Sequence, residues 1–91
     1  HHMTLEELYG HIQKGDIIYL WTDGWPDQFG GSSGKKYKSA NLKQFLITNS
    51  NSSSNELKSK LLQELNSWMH PDNNKEFEQV DDITFVSIRV E

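Results

Sequence analysis

The chain has 91 residues, which is enough for one domain with a modest hydrophobic core. Its 13 acidic and 9 basic residues give a net charge of -4, which argues against nucleic acid or an anionic membrane as the main partner. The absence of cysteine excludes disulfides, thiolate metal sites and a cysteine nucleophile. We find no signal peptide and no apolar run long enough to span a bilayer, so we expect a cytoplasmic protein without membrane insertion.

Residues 1–3 resemble the remnant of an affinity tag, so the folded domain is expected to occupy residues 4–91. Thr4 and Glu7 have the spacing of a helix capping box, and apolar residues follow at helical spacing as far as Ile12. This pattern predicts a short helix at the N-terminus.

A strand and an irregular loop are predicted after this helix. Residues 17–21 form a continuous apolar run, typical of a strand that is covered on both faces. Residues 23–39 are rich in glycine, serine and lysine, which favours an irregular loop. Trp21 and Trp25 either line a substrate groove or belong to the core, and Trp25 is expected to be the more exposed of the two.

A second short helix is predicted to begin at Asn41, which is a suitable N-cap residue. The segment after this helix, residues 49–55, contains only serine and asparagine. Such a polar, low-complexity composition indicates a mobile connector that contributes little to a core.

The strongest helical pattern follows the connector. Ser53 and Glu56 have the spacing of a capping box, and leucines recur on one helical face as far as Trp68. Pro71 is expected to end this helix. We interpret the leucine stripe as core packing, and residues 83–90 as a second strand.

Carboxylates lie at one end of each predicted strand. Asp23 follows the first strand, and Asp81 and Asp82 precede the second. If the strands are antiparallel neighbours, these ends are adjacent and the carboxylates lie close together. Carboxylate oxygens without cysteine suit hard ions such as Mg²⁺ or Mn²⁺. Aspartates at strand ends are also ordinary turn residues, so spacing alone leaves both interpretations open.

Two of the acidic residues have a further pair of alternative roles. Asp27, four residues after Asp23, either supports a metal ligand without touching the metal or caps a turn. Asp82 either supports a ligand in the same way or caps the start of the second strand.

Two motifs, together with the strands beside them, resemble a known family. The residues that carry the resemblance are, in chain order, Gly15-Asp16, Ile18-Tyr19-Leu20, Thr22-Asp23-Gly24 and Asp81-Asp82-Ile83-Thr84. They are similar to the second half of the PPM family of metal-dependent serine/threonine phosphatases, in the bacterial branch typified by stage II sporulation protein E. The resemblance covers residues 15–90 in order and spacing, which makes the paired motifs more specific than either one alone.

The resemblance implies an α+β fold, namely a partial α-β-β-α phosphatase sandwich with antiparallel strands and flanking helices. It implies two Mg²⁺ or Mn²⁺ ions in the complete domain, which activate a water so that no nucleophilic side chain is needed. By resemblance, Asp23 and Asp81 are metal ligands. Gly24, Asp27 and Asp82 are the candidates for residues that surround these ligands, and the alternative roles of Asp27 and Asp82 stay open.

The earlier metal-binding aspartate and the glycine-rich region of the family have no counterpart in this sequence. Residues 4–91 are therefore expected to be the C-terminal portion of a phosphatase domain, inactive in isolation because its ligand set is incomplete. By resemblance, the complete enzyme hydrolyses phosphoserine or phosphothreonine on a phosphorylated regulatory protein. The alternatives are a noncatalytic protein-interaction module with the same fold, or a plain structural fragment. Exposed strand edges further predict a homodimer or a domain swap.

Overall fold

The computed structural model describes residues 10–71 and 75–91. The elements in these ranges are, in chain order, β1 (Ile17–Trp21), β2 (Phe29–Gly30), β3 (Lys35–Lys36), α1 (Ser39–Thr48), α2 (Ser54–Met69) and β4 (Phe85–Arg89). Antiparallel strands with flanking helices confirm the expected α+β fold. The predicted N-terminal helix lies outside the described residues, except that Gly10 and His11 are helical.

β1 and β4 form a two-stranded antiparallel sheet. Ile17 lies opposite Arg89, and Trp21 lies opposite Phe85. The C-terminal end of β1 is therefore beside the N-terminal end of β4, which is the arrangement expected if the two strands are antiparallel neighbours. β4 is shorter than the predicted strand over residues 83–90.

The two faces of this sheet differ in their burial. Tyr19, Trp21 and Phe85 pack against the core from one face. On the other face Leu20 is 51% exposed and Val86 is 43% exposed. The prediction that the first strand is covered on both faces is therefore wrong at Leu20.

Residues 23–39 contain a hairpin, so the prediction of a wholly irregular loop is corrected. β2 and β3 pair in antiparallel fashion, with Gly31 and Gly34 at positive φ in the turn between them. The hairpin docks on the end of α2, where the N–H of Gly31 donates to the carbonyl of Trp68 at 2.8 Å. A Cβ on Gly30 would collide with Trp68, so glycine is required for this close approach.

α1 begins earlier than the sequence predicted. Its first residue follows Lys38, which has a φ of 76° and makes no side-chain capping bond. Asn41 lies inside the helix rather than at its cap, and its Nδ2 donates to the carbonyl of Tyr37 at 2.6 Å. The connector predicted over residues 49–55 is also shorter, because α2 already begins at Ser54.

The capping box of α2 is present in both halves. The hydroxyl of Ser53 accepts the N–H of Glu56 at 3.2 Å, and the Glu56 carboxylate accepts the N–H of Ser53 at 3.4 Å. Leu57 and Leu61 are buried, which confirms that the leucine stripe is core. The helix ends before Pro71, as expected. Among the described residues, no helix combines the length and apolarity needed to cross a membrane.

The hydrophobic core lies between the helices and the inner face of the β1–β4 sheet. Its buried members are Trp25, Tyr37, Leu42, Leu46, Leu57 and Leu61. Trp25 is only 3% exposed, whereas Trp21 is partly exposed, so the predicted order of exposure is wrong. The turn after β1 folds Trp25 back between Phe85 and Tyr37, with ring centroids 6.4 and 6.1 Å away.

Candidate functional site

The segment after β1 lies directly against the segment before β4. Thr22 extends the pairing beyond the strand, because its N–H donates to the carbonyl of Thr84 at 3.1 Å. Its hydroxyl donates to the carbonyl of Asp82 at 3.2 Å and accepts the N–H of Thr84 at 3.0 Å. The side chain of Thr22 therefore joins the two motifs at the end of the sheet that carries the three aspartates.

Gly24 is buried against the backbone of Asp82. A Cβ at this position would collide with the carbonyl oxygen of Asp82 and would lie 3.2 Å from Cγ1 of Ile83. The third position of the Thr-Asp-Gly motif must therefore lack a side chain for the two segments to touch. This is a physical reason for the glycine that the sequence spacing did not supply.

The three carboxylates expected at this end of the sheet are all on exposed residues: Asp23, Asp81 and Asp82. The carbonyl of Asp23 accepts the N–H of Asp27 at 2.9 Å, which closes a turn after β1. The Asp81 carboxylate accepts the N–H of Asp82 at 2.8 Å. Asp82 contacts the Thr22 hydroxyl through its carbonyl rather than through its carboxylate. The fold thus brings the backbones of the two motifs together.

Asp27 interacts with the hairpin. Its Oδ1 lies 3.6 Å from Nζ of Lys36, and the two side chains are 52% and 50% exposed, respectively. Exposed pairs of this kind contribute only about 0–1 kcal/mol to stability. This ion pair belongs to the turn and the hairpin, and a role for Asp27 beside a metal ligand stays a prediction.

Gln28 is a neighbour of this site that the sequence analysis missed. Its side chain is fully buried, and its Nε2 donates to the carbonyls of Phe29 and Glu78, each at 2.9 Å. Its Oε1 has no hydrogen-bond partner among the described residues. Because Glu78 lies three residues before Asp81, this side chain links the turn after β1 to the approach to β4. No pattern in the sequence distinguishes Gln28 from an exposed polar loop residue.

The backbone of Gln28 is held in turn by the core. Its carbonyl accepts the indole N–H of Trp68 at 2.9 Å and the N–H of Tyr37 at 3.0 Å. The rings of Tyr37 and Trp68 meet edge to face with centroids 5.3 Å apart. The loop that follows Asp23 is therefore anchored to the end of α2.

Whether the described residues can bind a divalent ion depends on how many ligand side chains they bring together. The carboxylates of Asp23 and Asp81 have the oxygen chemistry that Mg²⁺ and Mn²⁺ prefer. In the part of the chain that the structure describes, however, no three His, Cys, Asp or Glu residues are grouped so that they could hold a metal ion. Mg²⁺ requires nearly octahedral coordination, so the described residues by themselves do not fit the metal.

Comparison with known proteins identifies the family. No curated protein and no solved structure matches the chain significantly. The family model of stage II sporulation protein E (SpoIIE) matches residues 2–91, which is almost the entire chain. This family is related to the PPM-type phosphatases, which confirms the resemblance inferred from the two motifs. The chain therefore belongs to the stage II sporulation protein E (SpoIIE) family.

Proposed function

We propose that this chain is the C-terminal portion of a metal-dependent protein serine/threonine phosphatase. In a longer protein, the complete domain would hydrolyse phosphoserine or phosphothreonine on a phosphorylated regulatory protein. Membership of a phosphatase-related family supports the reaction class. The observation that carries the proposal is the contact between the two motifs, made by the Thr22 hydroxyl on the carbonyl of Asp82.

Asp23 and Asp81 are the metal ligands in this proposal. Both residues are exposed, and each belongs to one of the two motifs that meet at the end of the sheet. Each of these carboxylates supplies oxygen ligands of the kind that Mg²⁺ and Mn²⁺ prefer. Two Mg²⁺ or Mn²⁺ ions would require further ligands from outside the described residues. No step of phosphate hydrolysis is therefore assigned to side chains of this chain, and we expect the chain alone to be inactive.

The test is a phosphatase assay of the longer protein with a phosphothreonine peptide. We expect hydrolysis that depends on Mn²⁺ and is abolished by Asp23→Asn or by Asp81→Asn. Asp16→Asn is the control, because this aspartate lies at the opposite end of β1, where its carboxylate accepts the N–H of Gln13. Activity that survives both substitutions at full level would refute the assignment of the ligands.

The absence of a three-ligand group from the described residues also favours a second candidate, a noncatalytic protein-interaction module with the same fold. This function predicts that the longer protein binds a phosphorylated regulatory peptide without hydrolysing it, with the same affinity in Mn²⁺ and in EDTA. Isothermal titration with and without the metal separates it from the phosphatase. Peptide turnover would exclude the module.

A further inference from the structure

Besides the two hydrogen bonds between Thr22 and Thr84, three contacts hold the turn after β1 against the residues at and before Asp82. Two of them involve the Thr-Asp-Gly motif: the hydroxyl of Thr22 and the bare backbone of Gly24 both meet Asp82. The third comes from Gln28, which reaches the carbonyl of Glu78 from within the protein interior. The first two contacts are made at Asp82 itself, whereas the third holds the chain four residues before it, at Glu78.

The burial of Gln28 is energetically unfavourable unless the hydrogen bonds of its amide compensate for it. Among the described residues its Oε1 has no hydrogen-bond partner, and a buried polar atom without a partner costs about 1–3 kcal/mol. An apolar side chain of similar volume would avoid this cost and would fill the same space. What an apolar side chain would lose is the link from Nε2 to the carbonyls of Phe29 and Glu78.

The link to Glu78 joins segments that are distant in sequence. Gln28 and Glu78 are separated by 50 residues, and Glu78 belongs to residues 75–84, which the structure describes without a helix or strand. A segment without ladder hydrogen bonds is ordered mainly by the contacts that it makes with the rest of the protein. Gln28 is therefore one of the contacts that hold the backbone just before Asp81, together with the N–H of Phe77, which donates to the carbonyl of Met69 at 3.0 Å.

We propose that Gln28 is a positioning residue that holds the Asp81 segment in place against the Asp23 turn. The effect of Gln28 on catalysis rests on the proposed function, in which Asp81 is a metal ligand. The link that the buried Gln28 amide makes between the two loops does not depend on metal or on phosphatase activity. A purely space-filling role for Gln28 would predict equal effects on all parts of the fold.

Amide hydrogen exchange on the metal-free 91-residue chain tests this proposal. The variant is Gln28→Met, which preserves the volume and removes both donors. The N–H of Thr84, which bonds the Thr22 hydroxyl, reports on the junction of the two motifs. The N–H of Leu61, in the buried middle of α2, reports on the stability of the helix. Gln44→Met is the matched control, because Gln44 is exposed and its Nε2 bonds Thr48 within α1.

We expect Gln28→Met to accelerate exchange at Thr84 by about tenfold, with a change of less than about twofold at Leu61. Gln44→Met should leave both rates within about twofold of the wild type. The proposal is overturned if Thr84 and Leu61 accelerate equally, since that result indicates global destabilisation. It is also overturned if neither rate changes.

A measurement on the unmodified chain keeps the proposal testable if Gln28→Met does not fold. The Gln28 side-chain amide protons should exchange slowly and with the same opening free energy as the N–H of Thr84, because both are released when the two loops separate. The exposed side-chain amide of Gln44 serves as the reference. Exchange of the Gln28 amide protons as fast as those of Gln44 would refute the link.

In the longer protein, Gln28→Met should raise the Mn²⁺ concentration for half-maximal phosphatase activity by about tenfold, with KM for the phosphopeptide unchanged. If the protein has no phosphatase activity but the exchange at Thr84 responds locally, the proposed function fails while the positioning role stands. If activity is present and exchange responds uniformly, the positioning role fails instead.

Discussion

The backbone of Gly24 lies so close to the carbonyl oxygen of Asp82 that a side chain at position 24 would overlap it. This contact joins two motifs that are almost 60 residues apart in the sequence. The φ of Gly24 is not positive, so the backbone angle does not require glycine at this position. The packing of one motif on the other does require it.

Gly24→Ala should destabilise the chain by about 1–3 kcal/mol, because the added methyl group must displace the Asp82 backbone. Urea unfolding monitored by circular dichroism measures this change. Gly10→Ala is the matched control, since no atom would lie within 4 Å of a Cβ at that position. Equal unfolding midpoints for Gly24→Ala and the wild type would contradict the close contact.

Asp23→Asn should leave the free energy of unfolding of the isolated chain within about 0.5 kcal/mol of the wild type. Asp23 is exposed, and among the described residues no hydrogen bond or ion pair to its carboxylate is found. Thermal unfolding of both proteins checks this prediction. A large loss of stability would show that Asp23 acts in the fold, and would remove the simplest interpretation of an inactive Asp23→Asn phosphatase.

Ser53→Ala should cost about 1 kcal/mol, because the hydroxyl caps the N-terminus of α2. Hydrogen bonds with Ser53, through its side chain and then its backbone, also lower the pKa of the Glu56 carboxyl. The stability supplied by the capping box is therefore present above the ordinary pKa of glutamate and declines as the pH falls below it. Urea unfolding at pH 7 and at pH 3 should show a smaller Ser53→Ala effect in acid. Ser59→Ala, on the exposed surface of the same helix, is the control and should change little.

Tyr37 should make the stability of the chain fall at alkaline pH. Burial, together with the hydrogen bond to Glu64 at 2.7 Å and the charge of that carboxylate, raises the pKa of Tyr37 above its ordinary value of 10.0. The neutral phenol is favoured in the folded state, so its contribution is complete below pH 10 and is lost progressively above it. Unfolding between pH 8 and pH 11 should show a steeper loss for the wild type than for Tyr37→Phe. Tyr19→Phe, which leaves the Tyr37 and Glu64 pair intact, should follow the wild type.

Self-association is expected from the uncovered face and edges of the β1–β4 sheet. On the uncovered face, Leu20, Val86 and Ile88 are 51%, 43% and 44% exposed. In the described ranges β1 and β4 pair only with each other, so each strand has an unpaired edge. Sedimentation equilibrium should show a concentration-dependent homodimer that Leu20→Lys shifts toward monomer. Ile47→Lys is the control, because Ile47 is also exposed but lies on α1. A strict monomer at high concentration would refute the homodimer.

Local signals in the sequence were sufficient for several elements. The capping box at Ser53 needs only two residues three positions apart, and the predicted end of α2 before Pro71 needs only the chemistry of proline. The five-residue apolar run predicted β1 with its observed ends, Ile17–Trp21. In each case the residues that determine the element lie within the element or a few residues from its ends.

The candidate site was predictable in part. The strand patterns placed Asp23 and Asp81 at strand ends that are adjacent if the strands are antiparallel neighbours, the family resemblance implied antiparallel strands, and the observed register places those ends together. The link from Gln28 to Glu78 was not predictable, because its partner is a backbone carbonyl 50 residues away that no side-chain pattern marks. The exposure of Trp25 was predicted wrongly for a related reason, since its burial depends on contacts with Phe85 and Tyr37.

The sequence by itself determined the capped helix, the strand patterns and the pair of motifs that indicate the family. These features depend on hydrogen bonds and periodicities within a few residues, or on residue identities at fixed positions. Only the tertiary structure decided which loop residues are buried, which face of the sheet is uncovered, and why Gly24 must lack a side chain. Each of these depends on segments far apart in the chain being pressed together, and the volume and hydrogen-bonding groups available at such a contact are set by both segments at once.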